Sequence, residues 1–379
     1  MSNMHKRIWL SAPHMGGKEA EFVKEAFDSN WVAPLGPNVD AFEAMLKEVT
    51  HTKAAAALTS GTAALHLALR VIGLNKGDIV LCQSMTFAAS AFPIVYEQAE
   101  PVFIDSERDT WNMDPALLED ALAYYQKTGK KVGAIIVVHL YGMPAKMREI
   151  QKLAEQYQVP LIEDAAEALG STYYGEPCGS LGQLAILSFN GNKIITTSGG
   201  GALVGNDQQA VDRARFLSTQ AKDPFPHYEH STIGFNYRMS NIVAGIGRGQ
   251  LMVLQERVAQ RRANYKYYVE QLSQFPGLSF LQEPERCSSN RWLTTIIIDP
   301  KTSGGVNREQ VRLKLEAMNI ESRPLWKPMH LQPVFKQARS FLSGVSDDLF
   351  DKGLCLPSGS SLTKEELASI CSQIKSCWS

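Results

Sequence analysis

The sequence lacks the two features that would direct a chain to a membrane or to nucleic acid. It has no run of about 18 uncharged apolar residues, the length that a membrane-spanning helix needs. It also has no dense run of Lys and Arg, and its formal net charge is -1 over 379 residues. The electrostatic footprint of a nucleic-acid binder is therefore missing. We expect neither a membrane nor a nucleic acid as a partner, and any affinity for phosphate must be local.

Cysteines are few, and low-complexity tracts are absent. The six cysteines form no C-x-x-C pair and no Cys/His spacing typical of zinc sites. This pattern predicts reduced thiols, no metal site and a cytoplasmic protein. Hydrophobic residues make up 44% and charged residues 20% of the chain, close to the averages for globular proteins. The length favours one large domain with a smaller one beside it.

What is present, from residue 53 to about 205, is a regular alternation of strand and helix patterns. Short apolar, β-branched runs are followed by longer stretches of helical periodicity, which predicts an α/β domain with a mostly parallel sheet covered by helices. Asp114 and Pro115 suit the cap and first turn of one such helix, Pro115 to Tyr125. The predicted strands are Ala54 to Leu58, Asp78 to Gln83, Pro101 to Ile104, Val132 to His139, Pro160 to Glu163, Ala185 to Phe189 and Ala202 to Val204.

The remainder of the chain has a different character. A long helical stretch from about Ser240 to Gln274 is followed by a strand at Trp292 to Ile298 and a helix at Asn307 to Met318. A last helix begins at Thr363. We therefore predict a large domain at 1–250 and a small C-terminal α+β domain at 251–379.

Two side chains that could take part in a reaction follow predicted strands. Lys193 lies in SFNGNKIITTSGGG between two apolar runs, where a desolvated amine can lose its proton and form a Schiff base with an aldehyde. A solvated loop lysine is the alternative. Asp164 ends a buried strand in VPLIEDAAEALG, where an open α/β sheet binds ligands, and it can serve as the acidic partner of a cofactor ring nitrogen. A helix-capping aspartate is the alternative there.

Two further motifs suit an anion and a flat ring. Ser60, Gly61 and Thr62 lead directly into an Ala/Leu-rich helix, and helix N-termini bind phosphate, although the same residues are common caps. Phe87 in MTFAASA can place an aromatic face against a heterocycle, or pack in the core. The glycines at 199–201 and at 245–249 lack the strand-to-helix spacing of a dinucleotide fingerprint, which excludes a nicotinamide cofactor.

Together, and in this order, these motifs resemble the DegT/DnrJ/EryC1/StrS family of sugar aminotransferases. The resemblance covers nearly the whole chain. It implies the aspartate-aminotransferase type of fold, known as fold type I, and pyridoxal 5'-phosphate as cofactor. The motifs that carry it are SGTAAL (60–65), TFAASA (86–91), HLYG (139–142), EDAAEALG (163–170), SFNGNKIITTSGGG (188–201) and GFNYRMSN (234–241).

The resemblance also implies a role for individual residues. Lys193 would hold the cofactor aldehyde, Asp164 would pair with its ring nitrogen, and Phe87 would stack on its ring. Gly61, Thr62 and Ser188 would hold the phosphate, while Asn236 would reach it from a second subunit, which makes a homodimer with shared active sites. Glu167 departs from the family pattern, since many relatives have Gln beside the cofactor's ring hydroxyl.

The substrate implied is a nucleotide-linked keto sugar, with L-glutamate as amino donor. SAPHMGG (11–17), WVAPLG (31–36), HYEH (227–230) and SNRWL (289–293) are most similar to the aminotransferases of bacillosamine synthesis, which aminate UDP-4-keto-6-deoxy-N-acetylglucosamine at C4. Candidate sugar or pyrophosphate contacts are His14, Trp31, Arg323, Trp326, Lys327 and His330. Arg323 and Lys327 are included because the charged groups of Arg and Lys suit phosphate oxygens.

Three other functions remain open at this point. Amination at C3 of the sugar is one, and a non-catalytic regulator that keeps the cofactor fold is another. A pyridoxamine-dependent dehydratase is the third, but Lys193 argues against it because a histidine takes the place of the lysine in those enzymes. His139 and His330 are expected to pack rather than to act as acid or base groups.

Overall fold

The computed structural model describes residues 6–378. Its α-helices are α1 Glu19–Asp28, α2 Pro37–Thr50, α3 Gly61–Val71, α4 Phe92–Tyr96, α5 Pro115–Thr128, α6 Met147–Tyr157, α7 Gln208–Ser218, α8 Asn241–Leu251, α9 Leu254–Leu272, α10 Arg308–Ala317, α11 Val345–Lys352 and α12 Lys364–Lys375. Its strands are β1 Ala54–Leu58, β2 Ile79–Gln83, β3 Glu100–Ile104, β4 Val132–Val138, β5 Leu161–Asp164, β6 Thr172–Tyr173, β7 Glu176–Pro177, β8 Leu184–Ser188, β9 Gly201–Gly205, β10 Leu278–Phe280, β11 Cys287–Ser288, β12 Thr294–Ile298, β13 Arg323–Pro324, β14 Ser340–Phe341 and β15 Gly353–Leu356.

A large mixed sheet organises the N-terminal part of the molecule, with strand order β1-β9-β8-β5-β4-β2-β3-β14. Neighbouring strands from β8 to β14 are parallel, whereas β9 is antiparallel to both β8 and β1. Every strand except β9 therefore runs in one direction. Their carboxyl ends meet at a single edge of the sheet, where β9 begins, and ligands bind at that edge in open α/β sheets.

Both faces of this sheet are buried. Successive side chains along a strand point to opposite faces, and buried residues on both faces show that each face is covered. On β1, Ala54 and Ala56 pack into one apolar cluster, with Leu65 and Leu69 of α3. The residue between them, Ala55, packs into another cluster on the opposite face. The continuous apolar runs that predicted these strands are therefore explained by helices on both sides.

A smaller antiparallel sheet, β10-β12-β15-β13, forms the second core. Apolar residues of α9, α10 and α12 cover it, among them Tyr268, Leu315 and Ile370. The short strand β14, which follows 251 in sequence, pairs with β3 of the large sheet instead. The chain thus returns to the large sheet late in the sequence, and the division at residue 250 stays a prediction.

Most sequence-based elements are confirmed, and one is interrupted. All seven predicted strands of the large sheet are present within one or two residues of their predicted ends. Asp114, Asn307 and Thr363 cap the helices that were predicted to start beside them. The helical stretch predicted from about 240 to 274 is helical but consists of two helices, α8 and α9, separated at Met252 and Val253.

Membrane and metal features were sought over the same residues. Between residues 6 and 378, no helix combines the length and apolar character that crossing a membrane would demand. Across that range, no group of three or more His, Cys, Asp or Glu side chains is arranged to hold a metal ion. All six cysteines fall within it, and each is a free thiol.

Candidate active site

A cavity of about 280 Å³ lies at the edge where the parallel strands end. It is lined by residues that directly follow β1, β2, β5 and β8, and by those that directly precede β9. Among the predicted cofactor-binding residues, the structure brings together Gly61, Thr62, Phe87, Asp164, Glu167, Ser188 and Lys193. Asn236 does not line the cavity of its own chain; it is exposed and bridges to Thr219.

Lys193 enters this cavity from the loop that joins β8 to β9. Its side chain is only 11% exposed, and its Nζ lies 3.7 Å from Glu167 Oε1. On another side, Nζ lies 4.1 Å from the ring centroid of Trp292. The amine is therefore presented inside the cavity between a carboxylate and an aromatic face, which rules out the alternative of a solvated loop lysine.

Asp164 is the last residue of β5, and its carboxylate is buried in the cavity wall. One oxygen accepts a hydrogen bond from Ser90 Oγ at 2.6 Å, and the other accepts one from the backbone N–H of Ala166 at 3.1 Å. These bonds fix the carboxylate. Burial and the nearby Asp164 charge raise the pKa of Cys82 well above its usual range, so this thiol is not a candidate nucleophile.

The start of α3 forms an anion cradle beside the end of β8. Ser60 caps the helix by accepting from the N–H of Ala63, and the first N–H groups of a helix have no partner within it. A Cβ on Gly61 would lie 3.2 Å from the Cβ of Ser188, and one on Gly201 would lie 2.3 Å from the Gly61 nitrogen. Gly201 is thus needed for the helix start to approach the sheet, and a side chain at Gly61 would make that approach tight.

An aromatic wall faces the cavity from two different parts of the chain. Phe87 is 52% exposed, and its ring centroid lies 5.3 Å from that of Trp326. Trp326 in turn stacks on Tyr141, with centroids 6.4 Å apart and planes 15° apart. An open aromatic face suits a flat heterocycle.

Glu167 is buried at the point where three donors converge. Its Oε2 accepts from the backbone N–H of Tyr141 at 2.6 Å, and its Oε1 accepts from Trp326 Nε1 at 3.3 Å. The third is the Lys193 amine, whose Nζ lies 3.7 Å from Oε1, at ion-pair rather than hydrogen-bond distance. A glutamine would have to turn its NH₂ group toward one of these donors, which gives a physical reason for a carboxylate at this position.

Burial raises the pKa of Glu167, and the nearby Lys193 ammonium opposes that shift in part. The folded protein therefore keeps the proton of Glu167 to higher pH than the unfolded chain does. The stability contributed by neutral Glu167 is present at acid pH and is lost as the pH rises through the folded-state pKa. We predict that cofactor-free Glu167→Gln, which does not titrate here, gains unfolding free energy relative to wild type as the pH rises.

Denaturant unfolding between about pH 4 and pH 8 measures this difference. Glu285→Gln is the matched control, since the Glu285 side chain is 89% exposed and should show no such trend. A difference between wild type and Glu167→Gln that stays constant with pH would contradict the prediction.

All the sequence-based substrate candidates except Trp326 lie outside this cavity. Arg323 lines an adjoining cavity of about 680 Å³ together with Trp9 and Lys327, and the two cavities share Trp326. His14 is bonded to Ser360 Oγ at 3.0 Å. Trp31 is exposed on the surface, and His330 is held 2.7 Å from Ser84 Oγ. Of the predicted substrate residues, only Arg323, Trp326 and Lys327 line either cavity.

Several lining residues were not predicted from the sequence. Thr86 and Ser90 belong to the TFAASA motif, so their proximity to Phe87 was a usable signal. Asn190 and Asn192 precede Lys193 in the same loop. Trp292 lies in the SNRWL motif (289–293), but nothing in the sequence linked that motif to Lys193, which lies about 100 residues earlier in the chain. His139, expected to pack, is fully buried and paired with Glu163 at 2.8 Å.

Comparison with known proteins defines the family. The family model of the DegT/DnrJ/EryC1/StrS aminotransferase family matches residues 13–375. The chain belongs to this family. A protein named as a pyridoxal phosphate-dependent aminotransferase, EpsN of Bacillus subtilis, is 53% identical over 367 residues, which cover 96% of this chain and 94% of the relative. GDP-perosamine synthase of Escherichia coli O157:H7 is 35% identical, with 99% of both chains covered.

A solved structure extends the comparison to three dimensions. A Streptococcus pneumoniae protein described as a sugar aminotransferase, in its PLP form, has a TM-score of 0.88 and 26% identity, with 98% of this chain and 99% of that chain covered. The protein is therefore a pyridoxal-phosphate-dependent sugar aminotransferase with the fold type I architecture. The cavity fits this cofactor, because an amine, a buried carboxylate, a helix start and an open aromatic face all line it.

Proposed function

We propose that this enzyme moves the amino group of L-glutamate to C4 of UDP-4-keto-6-deoxy-N-acetylglucosamine. The observation that carries the proposal is the buried Lys193 amine in a cavity that adjoins a second, larger one. A nucleotide-linked sugar needs such extra space, whereas an amino acid does not. The assignment to UDP and to C4 rests on the sequence motifs at 11–17, 31–36, 227–230 and 289–293.

The residues of the first cavity divide the work of holding the cofactor. Gly61, Thr62 and Ser188 would hold the phosphate at the helix start, and Asp164 would hold the proton on the ring nitrogen. When bound, pyridoxal phosphate supplies an aldehyde that accepts the amino group and a ring that withdraws electrons from the reacting carbon. Lys193 would bind the aldehyde and, once its amine is released, carry a proton between the two carbons that exchange it.

The second cavity is the proposed site of the nucleotide portion. Arg323 and Lys327 are exposed at its wall, where their charges can meet pyrophosphate oxygens. Arg323 is pre-oriented by two hydrogen bonds to Glu321 Oε1, at 2.8 and 3.0 Å. His14, Trp31 and His330 remain predicted substrate contacts only if the bound sugar or a second subunit reaches them. The six free thiols fit our proposal of a cytoplasmic enzyme.

We further propose a homodimer in which Asn236 of each chain completes the active site of the other. A mixing experiment tests this. Lys193→Ala and Asn236→Ala chains, each inactive alone, should regain about a quarter of wild-type activity when unfolded together and refolded, because half the dimers are hybrids with one intact site of two. No recovery, with hybrid dimers demonstrated by mass spectrometry, would contradict the shared site.

One assay tests the substrate. Purified protein with pyridoxal phosphate and L-glutamate is offered the UDP-linked sugar or a GDP-linked 4-keto-6-deoxy sugar, and 2-oxoglutarate is measured. We expect kcat/KM at least about tenfold higher for the UDP-linked sugar, a difference of about 1.4 kcal/mol, with the new amine at C4 by NMR.

The opposite results have defined meanings. A preference for the GDP-linked sugar would show that the substrate carries GDP and not UDP, in line with the GDP-perosamine synthase relative. An amine at C3 of an offered 3-keto sugar would replace the proposed position. If no keto sugar yields 2-oxoglutarate, a non-catalytic regulator becomes the better function.

A further inference from the structure

The Lys193 amine has an aromatic neighbour that no part of the proposed mechanism uses. Trp292 is 1% exposed, and its ring centroid lies 4.1 Å from Lys193 Nζ. Its Nε1 donates a hydrogen bond of 2.7 Å to the backbone carbonyl of Asn192, the residue before Lys193. The same side chain therefore contacts both the backbone and the amine of the Lys193 region.

A buried arginine fixes Trp292 in this position. Arg261 is 1% exposed, and it donates to the backbone carbonyl of Trp292 and, at 2.9 Å, to Ser11 Oγ. Ser11 Oγ in turn donates at 2.6 Å to the carbonyl of Asn192, the acceptor that Trp292 also uses. Burial lowers the pKa of Arg261 to about 9, and the charge of Arg257 adds to this shift.

The buried Arg261 guanidinium destabilises the fold, so its presence indicates a functional role. Burying a guanidinium costs stability unless it is paired, yet no carboxylate within residues 6–378 forms an ion pair with Arg261. Its bonds go instead to the two groups that set the position of the Asn192 carbonyl. Tyr141 stacks on Trp292, with centroids 6.3 Å and planes 18° apart, and further limits the movement of the ring.

We propose that Trp292 is a positioning residue whose ring face holds the amine of Lys193 whenever that amine is free. This rests on the proposed role of Lys193. A cation over the face of a tryptophan is attracted by the ring quadrupole, and the attraction strengthens when water is excluded. The charged groups that also face this amine are Glu167, 3.7 Å away, and beyond it Asp164. Held between carboxylate and ring, the free amine stays aimed at the cavity.

Fluorinated tryptophan tests the proposal without changing the shape of the site. Fluorine withdraws electron density from the ring face and weakens its attraction for a cation while the packing is kept. In cofactor-free protein at about pH 8, a weaker contact holds the Lys193 amine less firmly against the ring and leaves it more accessible to an acylating reagent. We expect acetic anhydride labelling of Lys193, read by peptide mass spectrometry, to become about threefold to tenfold faster from unsubstituted to tetrafluorinated tryptophan.

Two controls make the result specific to position 292. In Trp292→Phe the series should be flat, because the other tryptophans are fluorinated but the ring over Lys193 is not. Lys152, an exposed lysine of α6, should label at a constant rate throughout. An unchanged Lys193 rate across the series in the wild-type sequence, or the same slope in Trp292→Phe, would overturn the proposal.

The labelling result is independent of the substrate assay. It uses neither cofactor nor keto sugar, so a failed substrate assay with a positive fluorine series refutes the proposed function and leaves the Trp292 contact intact. A positive substrate assay with a flat series refutes only the role of Trp292.

Discussion

Lys193→Ala is expected to lower turnover by roughly ten-thousand-fold or more, because it removes both the amine that binds the cofactor and the group that moves the proton. The visible absorbance of the cofactor-bound protein should disappear with it. No other lysine lines the first cavity among the described residues, so no neighbouring amine can replace it. Steady-state production of 2-oxoglutarate and an absorbance spectrum of the purified protein measure the two effects.

The matched control for this experiment is Lys152→Ala. Lys152 is exposed on α6 and contacts neither cavity, so its loss should leave both readouts unchanged. A Lys193→Ala protein that keeps its absorbance and its turnover would refute the assignment of Lys193.

The second large effect is expected at Asp164. Asparagine has nearly the same shape: its oxygen can still accept from the Ala166 N–H, while its NH₂ group can donate to the Ser90 hydroxyl oxygen, so the local structure should persist. It lacks the negative charge that keeps a proton on the cofactor's ring nitrogen. We expect Asp164→Asn to lower kcat by about a hundredfold to a thousandfold, the size typical of losing one well-placed electrostatic group.

Cofactor content must be measured alongside, because a loss of bound cofactor would also lower the rate. Ser90→Ala is the control that perturbs the support of the carboxylate but keeps its charge, and it should cost much less activity. If Asp164→Asn with full cofactor content turned over within about twofold of wild type, the ring-nitrogen role would be excluded.

The fold was largely predictable because burial on both faces of the sheet requires a recognisable pattern in the local sequence. Continuous apolar runs such as Val132–Val138 can hardly be anything but covered strands, and caps such as Asp114 mark where helices begin. The break between α8 and α9 has no such pattern in the local sequence. Neither Gly nor Pro lies at Met252 or Val253. A tertiary contact is present there instead, since Val253 packs directly against Gly16.

The sequence likewise predicts which residues lie together in the site only where a local pattern places them. Residues at strand ends, such as Asp164 and Ser188, could be placed together because parallel strands end at one edge. Trp292, Trp326 and Arg261 come from elements far along the chain, and their approach depends on how the small sheet packs against the large one. No local pattern in the sequence encodes that packing, so the aromatic contacts of the Lys193 amine emerged only from the structure.

The most direct test of the account is to locate the cofactor on the chain. Purified protein loaded with pyridoxal phosphate is treated with borohydride, which fixes the cofactor permanently to the amine that carries it, and the digested peptides are mapped by mass spectrometry. The account predicts the added mass on Lys193 and on no other lysine. Attachment to a different lysine, or no attachment in protein that is fully loaded, would contradict it.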